Sequence, residues 1–329
     1  MKFVPIVKLS LISLLLYTCG SPNSSNSDST PQPQLASLAG EEVEDQLVAV
    51  QNGTPNGLDP YWYQGKAEIS TYDLEQARYN GVHPGELTLI FVTEDFLTDL
   101  QVKNDYYRNT NSTKVLKTNQ LRRFTTGIYD YSVMTSVFTP VDRAAMPHTL
   151  KVTTSSQDWC GQSFGQLNFQ EGRTYDWQWR SYFEGEGDRN EQVEVDWVED
   201  ELFNLIRMGP EALPTGPQYV LPPMEFILLN HLNVFGQQTD ASLATYEGDP
   251  LPDTAELMVY TLNYREVSRK VEVVFGAEVP HRIEMIRIEE NRRGNKLITT
   301  AQRRATELLP YWEMNRPADR AQRASLGLD

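Results

Sequence analysis

Large apolar and polar residues take turns along much of this chain. In RTYDWQWRSYF, residues 173–183, Tyr175, Trp177, Trp179, Ser181 and Phe183 fall on one side of an extended backbone. Thr174, Asp176, Gln178 and Arg180 fall on the other. Side chains alternate across a strand, so this period predicts a half-buried antiparallel strand with one aromatic face. The same alternation recurs in ELTLIFVTE (86–94), GIYDYSVMTSVFT (127–139), HTLKVTTS (148–155) and FGQLNFQ (164–170). It returns in ELMVYTLNYR, KVEVVF, HRIEMIRIE and LITTAQRRA between residues 256 and 305. Asn291-Arg292-Arg293-Gly294-Asn295 reads as a hairpin turn, with Gly294 free to take positive φ.

Helical patterning is scarce. Asp196 is placed to cap WVEDELFNLIRM, in which Val198, Leu202, Leu205 and Ile206 form an apolar stripe and Gly209-Pro210 stops the chain. Asn315 and Pro317 open a last helix running to about Leu326. Many strands at hairpin spacing imply a mainly β (α+β) fold: a large curved antiparallel sheet or half-barrel with a few peripheral helices, in one domain over 59–329.

The N-terminus is different in kind. Lys2 and Lys8 accompany the apolar run LSLISLLLY (9–17), which ends at Thr18-Cys19-Gly20. The run is too short for a spanning helix, which needs about 20 apolar residues. It has the layout of a secretory signal, residues 1–18. Leu16-Tyr17-Thr18-Cys19 resembles a bacterial lipobox, which implies lipidation of Cys19, an anchor to the membrane and a place in the cell envelope, on the outer membrane. GSPNSSNSDSTPQPQ follows and cannot bury enough apolar surface to offset ordering entropy, so 19–58 is expected to be a disordered tether. As a coil it reaches on the order of 35 Å. Asp28-Ser29-Thr30 resembles the acceptor for O-glycans in Bacteroidota, marking Ser29; Asp253-Thr254-Ala255 has the same form.

Charge and cysteines narrow the partners. The chain carries a net −16; without Lys2 and Lys8, 27 basic residues face 45 acidic ones, a net of −18. Phosphate backbones repel such a surface, so nucleic acid is not an expected partner. With Cys19 lipidated, Cys160 has no partner for a disulfide.

Several motifs invite chemistry. Gly161-Gln162-Ser163-Phe164-Gly165 is a literal G-x-S-x-G, but a nucleophile elbow needs a buried strand before the serine and a helix after it. KVTTSSQDW precedes and QLNFQEGRTYDW follows, both strand and turn. Cys160 is either a buried apolar residue beside Trp159 or a thiol that a base such as His148 activates. Glu184-Gly185-Glu186-Gly187-Asp188 spaces carboxylates as a hard cation would like, but lacks the full calcium loop. His83, His148, His231 and His281 offer no zinc spacing. No metal or cofactor is expected. The aromatic strand positions either fill the core or line a groove for an amphiphile. Tyr131, Trp159, Cys160, Trp177 and Trp179 form the candidate ligand face.

Four stretches carry a resemblance: residues 61–96 (YWYQGKAEISTYDLEQARYNGVHPGELTLIFVTEDF), 125–141 (TTGIYDYSVMTSVFTPV), 148–164 (HTLKVTTSSQDWCGQSF) and 308–328 (LLPYWEMNRPADRAQRASLGL). With them the chain resembles a family of Bacteroidota lipoproteins commonly labelled "septum formation inhibitor Maf". The resemblance covers nearly the whole domain and implies an exported lipoprotein. True Maf proteins are cytosolic α/β nucleotide pyrophosphatases with a Ser-x-Ser-Pro-Arg-Arg-type loop, which this chain lacks. The strand pattern is also similar to lipid- or lipoprotein-handling half-barrels of the periplasm, at the level of fold only. The expected function is a non-catalytic binding or envelope-maintenance module for an amphiphile or another envelope protein. An envelope hydrolase using Cys160 with His148, or Ser163, is the alternative, and a Maf-type pyrophosphatase the least favoured.

Overall fold

A computed structural model describes residues 57–251, 256–292 and 294–328. The expected signal, Cys19, Ser29, most of the tether and Thr254 lie outside these residues.

The chain runs first through β1 (Ala67–Arg78), β2 (Gly81–Leu97), the two-residue β3 (Val102–Lys103) and β4 (Ser112–Thr126). Next come β5 (Tyr129–Pro140), β6 (Lys151–Gln157), β7 (Gln162–Phe169), β8 (Thr174–Arg180) and β9 (Arg189–Glu194). Then follow β10 (Trp197–Val198), a 3-10 turn at Glu199–Glu201, α1 (Leu202–Met208), β11 (Gly216–Leu221) and α2 (Met224–Asn230). The return leg is β12 (Gln237–Thr245), β13 (Leu257–Tyr264), β14 (Arg269–Gly276), β15 (Ile283–Arg292) and β16 (Asn295–Leu309), closed by a 3-10 helix at Pro317–Leu326.

Among the described residues these strands form one sheet, in the order β10-β11-β12-β13-β14-β15-β16-β1-β2-β4-β5-β6-β7-β8-β9, with β3 beside β2. All pairings are antiparallel except β10 with β11. The sheet is open and curved, as the sequence predicts. Its two edge strands, β9 and β10, are neighbours in the chain, and the crossing takes two residues. Val195 N–H donates to Arg173 O at 3.0 Å and Asp196 N–H to Tyr219 O at 2.8 Å, so consecutive peptides serve opposite edges.

One face of the sheet wraps α1. The seven-residue helix packs with Leu74 of β1, Leu89 of β2, Leu116 of β4, Leu262 of β13 and Val273 of β14 in a single apolar cluster. A helix that short can meet both arms only inside the curve. The helices are few, as predicted, but α1 is embedded rather than peripheral: five of its seven residues are buried. Asp196 does not cap it. That carboxylate accepts the Tyr219 N–H at 2.8 Å and pairs with Arg173 at 2.8 Å, clasping the two edges. The C-terminal helix is 3-10, and its start is closed by Arg316 and Asp319 in a capping box.

The aromatic strand faces fill the curve. Tyr175, Trp177 and Trp179 pack with Leu221, Met224 and Ile227 around α2. At roughly 25 cal/mol per Å² and 150–250 Å² per ring, each contributes about 4–6 kcal/mol gross. Tyr260 and Tyr264 are buried on the other arm. A hairpin turn joins β15 to β16 as predicted, since Arg292 pairs with Asn295, and Gly294 takes φ 84°.

Gly85 shows how tightly the central strands meet. A Cβ there would lie 2.3 Å from Arg123 O and 2.7 Å from Phe124 Cβ, both in the adjacent β4. Neither atom can swing away, so Gly85→Ala is expected to cost about 1–3 kcal/mol. Urea denaturation checks this; a variant within 0.5 kcal/mol of the parent, on the order of an ordinary surface change, would contradict it.

Candidate functional site

The β1–β2 hairpin turns through Tyr79-Asn80, since Arg78 pairs with Gly81. A two-residue turn that matches strand twist needs positive φ, and Tyr79 adopts it at 55°. A large side chain there is costly, and such strain persists only where neighbours enforce it. They do so here. The Arg78 guanidinium lies over the Tyr79 ring at 4.5 Å and the Tyr131 ring at 5.3 Å. The Tyr79 and Tyr131 hydroxyls are 2.7 Å apart, and Tyr129 donates to Tyr79 at 2.8 Å. Arg78 also donates to Tyr131 at 3.3 Å and to the Leu229 carbonyl at the end of α2. Burial, and then the bond with Tyr79, push the Tyr131 phenol well up.

A second strained residue closes α2. The helix starts after Pro222-Pro223 and ends at His231, which takes a left-handed φ of 53° where glycine is usual. Its Nδ1 lies 2.6 Å from a Glu186 oxygen. Trp179 Nε1 donates to the other Glu186 oxygen at 3.2 Å. Partial burial raises Glu186, but hydrogen bonds from Ser181, His231 and Trp179 win and hold it below the usual carboxylate range. The acidic turn at 184–188 is therefore closed by protein groups. Arg189 donates to the Glu186 carbonyl at 2.7 Å and to the Gly185 carbonyl at 2.8 Å. Among the described residues no cluster of His, Cys, Asp and Glu is arranged to hold a metal.

The β6–β7 hairpin supplies the third wall. Asp158 accepts the N–H groups of Cys160 at 2.6 Å and Gly161 at 3.2 Å, which fixes the turn. Cys160 is exposed and Trp159 is 70% exposed, so the expectation of a buried cysteine packed beside Trp159 does not hold. The physical reason is the turn: it carries both side chains beyond the sheet. Ser163 is the second residue of β7, opposite Ser156 in an antiparallel ladder, with strand rather than helix after it. The two glycines of its motif answer to packing. A Cβ at Gly161 would meet the Tyr182 ring at 2.5 Å, and one at Gly165 would meet the Met224 methyl at 2.5 Å.

These walls enclose a cleft of about 570 Å³, lined by Arg78, Tyr79, Tyr131, Asp158, Cys160, Ser163, Tyr182, Phe183, Asn230 and His231 among others. Loss of solvent raises the Tyr182 phenol, with Asp158 and Cys160 adding to it. Of the sequence candidates, Tyr131, Cys160 and Ser163 thus come together. Trp177 and Trp179 do not: they lie in the core behind Glu186, and Trp159 points to solvent.

His148 is not part of this cleft. It precedes β6, whereas Cys160 follows it, and seven residues at about 3.3 Å each put the strand ends about 20 Å apart. His148 stacks on Phe169 at 4.8 Å on the opposite rim, and burial lowers its pKa. The histidine that shares the cleft with Cys160 is His231. No hydrogen bond joins the two among the described residues; His231 packs edge-on to Phe183 at 4.5 Å, and Phe183 lies 4.1 Å from Tyr182.

Behind the cleft lies a polar cavity of about 60 Å³ between the sheet and α2; Arg78, Leu229 and Asn230 border both spaces. Arg269 forks onto Glu199 at 2.5 and 2.7 Å, and Arg122 lies 2.8 Å from Glu225 and donates to Gln76 at 2.6 Å. Asp200 is 5% exposed and accepts the Met224 N–H, at 3.1 and 3.3 Å. Burial pushes its carboxyl up to about 8.

Sequence reasoning misses Arg78, Tyr79 and the His231–Glu186 pair. The signals were present: Tyr79-Asn80-Gly81 is a hairpin turn, and Pro222-Pro223 before MEFILLNH marks a short helix. Compared with protein-family models, curated proteins and solved structures, the chain shows no match.

Proposed function

We propose that this chain is an envelope lipoprotein, anchored to the membrane through Cys19, that works as a binding module, and that its ligand sits in the rim cleft. One observation carries the reading: two non-glycine residues in left-handed backbone, Tyr79 and His231, face a single cleft and are held there by Arg78 and Glu186. Strain kept in place by a built network is a signature of functional sites. The cleft's volume falls in the range of small-molecule sites.

The lining suggests the ligand class. Exposed faces of Tyr79, Tyr182 and Phe183 stand beside Asp158, Asn230 and His231. Ring faces suit the apolar C–H face of a sugar, and the polar groups suit its hydroxyls, so the ligand is a saccharide. The filled interior of the curve supports a rim site over an acyl chain held inside the sheet. The cleft lies at the end of β1 where Arg78 sits, opposite the end where the chain enters at Ala67. The twelve residues of β1 at about 3.3 Å each span about 40 Å, so the cleft lies far from Ala67.

Calorimetric titration of the full chain with a panel of envelope oligosaccharides tests this. At least one is expected to bind, and Tyr182→Ala, at a half-exposed residue, is expected to weaken it ten-fold or more with the melting temperature unchanged. Alkylation of Cys160 is expected to block the same ligand. Silence across the panel, or binding indifferent to both changes, overturns the saccharide reading.

A further inference from the structure

The face of the sheet turned away from α1 carries a second, unrelated space. The C-terminal 3-10 helix (Pro317–Leu326) lies against β1 and β16 and roofs a slot of about 260 Å³. Ile69, Ile90, Leu121 and Leu309 line it from the strands, and Met314 and Leu326 from the C-terminal segment. The roof is pinned. Thr71 donates to the Leu326 carbonyl at 2.7 Å, and Arg304 donates to the Gly327 carbonyl at 2.7 Å.

The slot has one unspent charge. Arg123 borders it, is exposed, and makes no side-chain ion pair or hydrogen bond among the described residues. Its acidic neighbours are committed elsewhere. Glu86, directly across the ladder, pairs with Arg304 at 3.3 Å, and Asp319 pairs with Arg316 at 3.1 Å. In a chain with a net −16, a free guanidinium at the mouth of an apolar slot is a specific invitation to an anion with a greasy tail. We propose that this slot binds a fatty acid, its chain between the strands and the C-terminal helix and its carboxylate on Arg123. The site is independent of the rim cleft, which lies on the other face of the sheet.

The test titrates the full chain with decanoate, with decanol and with phosphatidylglycerol vesicles, following binding by calorimetry and by displacement of a fluorescent fatty acid. Decanoate is expected to saturate at one per chain. Arg123→Glu should weaken decanoate at least ten-fold while leaving decanol unchanged, because only the acid uses the guanidinium. Ile90→Trp should fill the slot and abolish both; circular dichroism and melting show whether that variant is folded. The surface change Arg123→Glu keeps the question open to refutation if it is not. Tyr182→Ala, in the cleft, should leave decanoate binding intact. Failure of decanoate to saturate, equal weakening of acid and alcohol by Arg123→Glu, or binding of vesicles alone would each overturn the proposal.

Discussion

Arg207→Met is expected to cost this protein about 3–5 kcal/mol of stability. The guanidinium of Arg207, on α1, pairs with Glu68 of β1, and both side chains are wholly removed from solvent. Trp62 and Phe91 sandwich the cation with ring centroids at 5.0 and 5.1 Å, and the Tyr61 hydroxyl also donates to Glu68. Methionine keeps the packing against the rings but removes the cation that pairs with Glu68 inside the curve. A buried acidic side chain left without its partner there is costly. The double change Arg207→Met with Glu68→Leu should recover most of the loss, because it removes the desolvation penalty of both ions together. Equilibrium urea unfolding of the two variants decides it. A single variant within 1 kcal/mol of the parent, or a double variant no better than the single, would sink the account; about 1 kcal/mol is what a surface ion pair contributes.

That pair also shows where pattern reading stops. Strands with one wet face, such as β8 and β13, announce themselves by alternation. β1 and β4 do not, although they lie near the centre of the sheet. In β1 the run Ala67–Tyr72 is buried on both faces, by α1 on one side and the C-terminal helix on the other, so alternation disappears. In β4 the inward positions Thr118, Gln120 and Arg122 are polar, because they meet Asn204, Asp200 and Glu225 rather than an apolar core. A sequence read for greasy stripes cannot see an interior built from ion pairs.

The candidate site fails to declare itself for a related reason. Its parts come from the β1–β2 turn, the β6–β7 turn, the turn after β8 and the end of α2. What unites them is the curvature of the sheet, which no single segment encodes. Tyr131 and Cys160 were legible because an aromatic strand position and an isolated cysteine stand out by type. Trp177 and Trp179 stood out for the same reason, yet they serve the core. His231 looked ordinary, since its importance arises from the left-handed turn that ends α2 and points it at Glu186.

The largest pH effect is expected from Asp200. Its carboxyl titrates near 8 in the folded chain and near 3.8 when free. Burial is the main cause, and the charges of Glu199 and Glu225 add to it, while the Met224 N–H opposes it. Below pH 4 both folded and unfolded chains hold the proton, so the group is neutral to stability. Between about pH 4 and 8 the unfolded chain releases it and the folded chain keeps it, so stability falls as pH rises through that window. By pH 8 the accumulated loss is on the order of 5 kcal/mol. Asp200→Asn removes the titration, and its amide oxygen can still accept the Met224 N–H. The variant should therefore match the parent near pH 4.5 and exceed it increasingly toward pH 8, with the slope between them lost. Urea midpoints measured across that range supply the comparison; parallel curves for parent and variant would show that Asp200 is already ionised in the folded protein. Because Asp200 lines the cavity that shares Arg78 with the cleft, the same titration should loosen the base of α2, and with it the seat of His231. A ligand that needs that seat should bind the parent more weakly at pH 8 than at pH 6, and Asp200→Asn should erase the difference.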